Sequence, residues 1–207
     1  MEIGSDLPPL TYDFYQSTNV VMQAEALLGC CVFTEVDGAV TGGMIVETEA
    51  YEGVTDKASH AFGGRFTNRT EVMFRAGGIA YVYLCYGMHH MFNIVTAPEG
   101  MPHAILVRGI VPMFGIHTIK QRMSHSDNTI PLLSNGPGKV CKSLGIDKGF
   151  NAEPLCGKRI RITARTPLAE GYAITVARRV GINYAGTDAL LPYRFILSVN
   201  GYRAVGL

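Results

Sequence analysis

Two glutamates and a tyrosine recur at every second position in GGMIVETEAYEG, residues 42–53, a pattern able to carry acid–base chemistry. Period-two alternation over 44–51 places Ile45, Glu47, Glu49 and Tyr51 on one face of a strand, and Met44, Val46, Thr48 and Ala50 on the other. Carboxylates two residues apart on one face stand about 7 Å apart and repel each other. Either both face water at a sheet edge, or at least one lines a cleft. Arg108 bears on the choice, because it interrupts the apolar run HAILVRGIVP. A guanidinium in such a run needs an acidic partner, and Glu47 and Glu49 are the candidates. An arginine within about 4–6 Å lowers a carboxylate's pKa and opposes the rise caused by burial. The product is an ionised glutamate in a mostly dry pocket, suited to take a proton from water. A purely structural ion pair between two strands would use the same residues.

Aromatic groups supply a second constituent. Tyr81 and Tyr83 alternate to one face of the run IAYVYLCYG, with Val82 and Leu84 on the other. With Tyr51 they can form a stack of phenol rings. Buried tyrosines need a partner for each hydroxyl, so a cluster of them suits a site with polar contents. A purine fits such a slot, since ring stacking contributes roughly 1–3 kcal/mol per base. In VYLCYGMHHMFN, residues 82–93, Tyr86-Gly87 marks a chain reversal, so Tyr86 projects beyond the sheet. Adjacent His89 and His90 point to opposite strand faces and no cysteine or carboxylate completes a ligand set, so no metal is expected.

The elements that must position these groups are mainly strands. Ser17-Thr18 reads as the N-cap of a helix reaching Gly29, followed by a strand and then by 44–51. Residues 53–78, rich in Gly, Thr, Asn and Arg, read as a long irregular loop with one helical turn, and loops of that length inside a compact domain are usually functional. IAYVYLCYG, MFNIVT and HAILVRGIVP read as strands, MFGIHTIKQRM as a helix, and NGPGKVCKSLGI as a turn entering another. KRIRITAR, AITVARRV and YRFILSV add further strands. No regular strand-helix-strand rhythm appears. The expectation is an α+β fold: one compact domain spanning 1–207, with 1–16 as an N-terminal extension, and a curved, mostly antiparallel sheet flanked by helices with a protruding β-hairpin.

Composition agrees with a folded globular chain: 207 residues, 47% hydrophobic and 17% charged. Apolar stretches are too short to span a bilayer, and the start MEIGSDLPPLTYDF lacks a basic segment leading into an apolar one, so a cytoplasmic rather than secreted protein is expected. Five cysteines match neither a disulfide framework nor a C-x-x-C spacing and read as small buried apolar groups. The net charge of +1 hides two clusters, Arg65–Arg69–Arg75 and Lys158 to Arg179, either of which can be solvated surface or a nucleic-acid face.

The motifs GGMIVETEAYEG, KASHAFGGRFTNRTEVMF, GIAYVYLCYGMHHMFNIVT, PHAILVRGIVP and GPGKVCKSLGI, in that order, resemble successive motifs of the alkyladenine (3-methylpurine) DNA glycosylase family. The resemblance runs from about Ala24 to Phe195. It implies base-excision repair by a monofunctional glycosylase that turns alkylated purines such as 3-methyladenine out of double-stranded DNA and leaves an abasic site. By this resemblance Glu49 activates the water, Arg108 helps to hold it, and the main-chain carbonyl of Val180 contacts it. Tyr51, His60 and Tyr83 sandwich the extruded base, and Asn93 crowds the amino group of normal guanine. Tyr86 is the wedge, while Arg65, Thr67, Arg69 and Lys139 lie near DNA phosphates. The resemblance further implies no cofactor, no metal and no membrane, and a monomer working at the nucleoid. Asn68 departs from the pattern, where proline is expected, and SVNGYRAVGL at the C-terminus matches only loosely.

Two other functions use the same residues. Glu47 and Glu49 could be the acid and base of a carbohydrate-directed glycosidase, although the chain has no tryptophan to make a sugar platform. Tyr81, Tyr83 and Tyr86 could stack single-stranded bases in a non-catalytic module, although a carboxylate in the same cleft repels phosphate.

Overall fold

The structure is a computed structural model and describes residues 7–123, 134–165 and 172–198. Nine strands among these residues form one sheet: β1 (Cys31–Val36), β2 (Ala39–Tyr51), β3 (Ala80–Cys85), β4 (His89–Thr96), β5 (His103–Phe114), β6 (Ser134–Asn135), β7 (Ile160–Thr163), β8 (Ala173–Ala177) and β9 (Arg194–Ser198). All their pairings are antiparallel, and the main order is β3-β4-β5-β2-β1-β7, as the α+β expectation required. The long β2 organises the rest. One of its edges pairs with β5 over 42–51; the other pairs with β1 over 39–44 and with β9 over 47–49. Three helices, α1 (Val20–Ala26), α2 (Ile116–Met123) and α3 (Pro137–Leu144), accompany the sheet.

The main core joins α1, α3 and the sheet through Leu27, Leu28, Phe92, Ile105, Ile110, Val140 and Leu144, all buried. Thr48 fastens β2 to α1 by donating its hydroxyl to the Ala24 carbonyl at 2.7 Å. β2 is not a uniform ribbon. Its register against β5 shifts between Ile45 and Glu47 and again between Glu47 and Thr48. These bulges break the alternation expected over 44–51: Ile45 is buried in the same core cluster as Val46 instead of standing beside the carboxylates.

Local signals were displaced in three further places. The cap of α1 is Asn19, whose side-chain oxygen accepts from the Met22 N–H at 3.0 Å, while Ser17 only supports Asn19. Met113 and Phe114 finish β5, so α2 begins at Ile116. Residues 53–78 contain two short 3₁₀ turns rather than one turn, Phe62–Gly64 and Glu71–Phe74, and the second is anchored by buried Val72 and Met73 against Tyr81. Of the cysteines, Cys30, Cys31 and Cys141 are buried as expected, but Cys85 is only half-buried and Cys156 is exposed.

The N-terminal extension belongs to the domain from residue 7 onward. Leu10 donates its N–H to the Ile162 carbonyl, and Tyr15 is buried with its carbonyl accepting from Ala97. Most of SVNGYRAVGL lies outside the described residues.

Close approach of β5 to β2 depends on Gly43, where an added Cβ would fall 2.5 Å from the Val111 carbonyl oxygen. Backbone cannot yield as a side-chain tip does, so Gly43→Ala should destabilise the domain by about 1–3 kcal/mol. In a thermal melt followed by circular dichroism this corresponds to a drop of roughly 2–12 °C, at about 2–4 °C per kcal/mol for a chain this size. An unchanged midpoint would mean that the two strands separate freely there.

Candidate active site

The two β2 carboxylates have different fates. Glu47 Oε1 accepts from Arg108 Nε at 2.9 Å and from Arg194 Nε at 2.7 Å, so it is held between β5 and β9. Glu49 is fully buried and takes donors from three chain segments. The Val180 N–H reaches its Oε1 at 2.8 Å, Arg108 Nε lies 3.3 Å from the same oxygen, and the Tyr51 hydroxyl donates to Oε2 at 2.8 Å. Burial raises the Glu49 pKa; Arg108, the Val180 N–H and the Tyr51 hydroxyl oppose the rise without cancelling it. A carboxylate offers about four lone-pair positions, so these three donors leave about one for a water. Arg108 thus pairs with both candidate acids, and it is Glu47 that carries the second arginine.

In front of Glu49 opens a cleft of about 420 Å³, walled by Tyr51, His60, Arg69, Tyr83, Arg108, Val180 and Tyr184 among others. Glu47 and Glu49 are not themselves on its surface; Tyr51, Arg108 and Val180 stand between Glu49 and the opening. Glu49 touches the lining residues Tyr51, Arg108 and Val180, whereas Glu47 is taken up by two arginines, which disfavours it as the second carboxylate of a sugar-cleaving pair.

His60 and the tyrosines form one wall. The His60 ring meets Tyr83 edge-on at 4.7 Å, and its Nδ1 lies 2.9 Å from the Tyr81 hydroxyl. Arg69 Nη2 lies 3.1 Å from His60 Nε2. A guanidinium only donates, so Nε2 accepts and Nδ1 carries the proton, donated to Tyr81. Burial, then Arg69 and Arg65, push the His60 pKa down to about 4, which keeps the ring neutral. Arg69 also lies over the Tyr83 ring, 4.6 Å from its centroid.

Behind this wall the space between Tyr51, His60, Tyr83 and Asn93 narrows to about 20 Å³, room for little more than a water. Asn93 is buried at its end, donating Nδ2 to the Tyr81 carbonyl at 3.1 Å, so its orientation is fixed by β3. The residues expected to sandwich a base are thus together, but the slot between them is closed in this state.

Tyr86 stands at the tip of the β3–β4 hairpin, 89% exposed. Met88 N–H bonds the Cys85 carbonyl across a turn whose central residues, Tyr86 and Gly87, both have positive φ, 50° and 69°. That is a type I′ turn, which suits glycine but not tyrosine at its first central position. A strained, exposed aromatic marks a position kept for something other than stability. Across the hairpin, His89 pairs with Cys85 and His90 with Leu84; among the described residues no three His, Cys, Asp or Glu side chains gather as metal ligands.

Of the remaining predicted contacts only Arg69 lines this cleft, and Lys139 lines a separate cavity with Met88, His89 and His90. Exposed Arg65 lines a neighbouring cavity of about 470 Å³ with Lys57, Thr67, Arg69 and Tyr184. The Thr67 hydroxyl is engaged with that of Thr70 at 3.1 Å, and Lys139 on α3 reaches Asn135 Oδ1 at 3.2 Å. Sequence reasoning missed Arg194, Tyr184 and the buried pair Asp56–Arg179. Arg194 carried the same signal as Arg108, a cation inside an apolar run, YRFILSV.

The model of the methylpurine-DNA glycosylase family matches residues 13–201. Curated relatives named "Putative 3-methyladenine DNA glycosylase" include one from Chlamydia felis, 41% identical over 190 residues, 92% of this chain and 96% of the relative. One from Chlamydia pneumoniae is 44% identical over 89% of this chain and 93% of its own length, and one from Desulfitobacterium hafniense 40% over 93% and 97%. With a buried, triply held glutamate behind an aromatic cleft and this match over most of its length, the chain belongs to the methylpurine-DNA glycosylase family.

Proposed function

We propose that this protein excises alkylated purines such as 3-methyladenine from double-stranded DNA in base-excision repair, turning the damaged nucleotide out and hydrolysing its N-glycosidic bond with a water activated by Glu49. The observation that carries the reading is the fully buried Glu49, held by Arg108, Tyr51 and Val180 directly behind a tyrosine-lined cleft.

A base inside a stacked duplex is out of reach, and extruding it costs a few kcal/mol. Tyr86, rigidly presented at the hairpin tip, fills the vacated space and opposes the return of the base, bending the duplex as it does so. The purine enters between Tyr51 and the His60–Tyr83 wall, which must part to admit it, and Asn93 at the inner end crowds the amino group of guanine. An N-alkylated purine is cationic, so it stacks well on phenol faces and leaves easily. The water oxygen bonds to the sugar C1′ and the C1′–N bond breaks with its electron pair going to the purine. A cationic purine departs neutral, and the water's proton passes to Glu49. The Glu49 carboxylate also stabilises the oxocarbenium-like transition state. Arg108 and the Val180 main chain keep the carboxylate oriented towards the water.

Among the described residues no lysine lines the cleft, which supports simple hydrolysis to an abasic site without strand cleavage through a Schiff base. Arg65, Thr67, Arg69 and Lys139, all exposed, are the proposed phosphate contacts, Arg69 leaving Tyr83 as the base arrives. No helix among the described residues is long and apolar enough to cross a membrane. The reading places the enzyme in the cytoplasm at the nucleoid, acting as a monomer.

Glu49→Gln should lower base release from methylated duplex DNA at least about 100-fold, the scale of a lost general base. Binding of damaged duplex should persist in a mobility-shift assay; near-normal turnover would remove Glu49 from the chemistry. The pH profile tests the same residue. Glu49 acts ionised and burial raises its pKa, so activity should fall with decreasing pH at a midpoint above the ordinary glutamate value of about 4.3. A limb at or below that value would contradict a dry carboxylate. Tyr86→Ser should slow single-turnover excision from duplex about tenfold, a loss of roughly 1.4 kcal/mol of extrusion free energy. Single-stranded substrate needs no wedge and should be cleaved as before; equal loss on both would point to misfolding instead.

A further inference from the structure

The proposed reaction employs Tyr51 at the end of β2 and His60 and the Val180 main chain on two separate loops, and nothing so far explains what holds them to one another. Asp56 and Arg179 lie between those loops, 123 residues apart in sequence, with side chains 1% and 0% exposed. Arg179 Nη2 donates to Asp56 Oδ1 at 2.9 Å and Nη1 donates to Asp56 Oδ2, closing a bidentate pair. The same guanidinium donates to the Ala50 carbonyl at 2.9 Å, at the end of β2, and to the Asp188 carbonyl at 3.1 Å. Asp56 in turn accepts from the Glu52 N–H at 3.2 Å and the Ala58 N–H at 2.9 Å, shaping the turn that delivers His60. Arg179 immediately precedes Val180, whose N–H holds Glu49.

The guanidinium also lies 4.8 Å from the centroid of the Tyr51 ring and 5.3 Å from that of Tyr193. A planar cation lying over Tyr51 fixes its plane while its hydroxyl is held by Glu49. The pair as a whole is neutral, which matters because a cationic purine is to stack on Tyr51 and a carboxylate below it must stay basic. Left without Asp56, Arg179 would repel the first and acidify the second.

We infer that the Asp56–Arg179 pair is a positioning device for excision, locking the Tyr51 wall, the His60 turn and the Val180 N–H into one unit while keeping that unit uncharged. Neither residue touches the substrate. The inference deepens the excision reading and rests on it.

The groups bearing on Glu49 are Glu47 and Tyr51 on β2, Arg108 on β5, Arg194 on β9 through Glu47, the Val180 N–H and, at longer range, Arg179; those facing Arg179 are Asp56, Asp188, Tyr51 and Tyr193, with Glu52 behind Tyr193 and Glu49 and Tyr184 farther off. Asp56→Asn changes one charge in this set without altering shape. The test is single-turnover release of methylated purines from saturating methylated duplex as a function of pH, with circular dichroism melts and duplex affinity measured alongside. Asp56→Asn should lower the maximal rate about tenfold or more, as expected for misplaced walls, with duplex affinity unchanged. Its acid limb should move to lower pH, because an uncompensated Arg179 favours the Glu49 anion. The neutral double variant Asp56→Asn/Arg179→Gln should return that limb to its original pH while the rate stays low. Arg179→Lys keeps the charge but loses the planar contact and the bidentate geometry, so it should lose rate with the limb unmoved.

A folded Asp56→Asn with an unshifted limb, or Arg179→Lys at the full wild-type rate, overturns the inference. If Asp56→Asn does not fold, Arg179→Lys decides alone. The wild-type arm keeps the two readings apart: no base released by wild-type protein defeats the excision reading itself, whereas active wild type with indifferent variants defeats only the role of this pair.

Discussion

A glutamate carboxylate sealed from solvent in the middle of a sheet must be answered by donors from outside its own strand, and the fold around Glu49 satisfies that demand. Arg108 comes from β5, the Val180 N–H from the chain between β8 and β9, and only the Tyr51 hydroxyl from β2 itself. Removing one partner from a buried charged group costs about 3–5 kcal/mol, because the remaining charge has nowhere to go. Two distant segments and the end of β2 are thereby tied to one side chain. Stability alone would be served as well by apolar residues of the same volume. Retaining an acid there makes sense if its charge is used.

The second arginine clarifies why two glutamates are needed. Arg108 faces both acids, yet Glu47 also engages Arg194. Glu47 therefore secures Arg108, and on the proposed reading this leaves Glu49 free to share its charge with a water. The register shifts around Glu47 make this possible, since they bring it opposite Gly109, where the added Cβ of any other residue would lie 3.1 Å from Glu47 Cβ. A uniform strand would space the two carboxylates evenly and give them equivalent surroundings. The bulges give them different surroundings, Glu47 between two arginines and Glu49 with Arg108, the Tyr51 hydroxyl and the Val180 N–H.

Much of this was legible in the sequence, and the boundary is instructive. Charged residues inside apolar runs announce a need for partners, so Arg108 and the two acids could be brought together without coordinates. Alternating tyrosines on β3 and a glycine at 87 likewise located the aromatic wall and the hairpin tip. What could not be read was which acid each arginine prefers, because bulges reset the alternation and Arg194 arrives from β9. Asp56 and Arg179 were invisible for a different reason. One sits in a polar loop and the other in a basic cluster, compositions that ordinarily face water. Only the packing of two loops against the end of β2 buries them. The burial of Tyr15 against Ala97 was equally hidden in a segment that reads as an extension.

The closed slot and the strained hairpin belong to one logic. In this state Arg69 lies on Tyr83 and bonds His60, so a planar cation already occupies a stacking face of the aromatic wall. A neutral His60 accepts that bond, whereas a protonated ring would repel Arg69. On the proposed reading, a cationic purine displacing Arg69 would replace one such contact with another of the same kind, whereas a neutral base would offer the rings less. Selection for alkylated bases would then begin before any bond is broken, at the exchange of one cation for another on Tyr83. Tyr86 is held in an unfavourable backbone conformation and is almost wholly exposed, and on the proposed reading a duplex would supply the contacts that it lacks here.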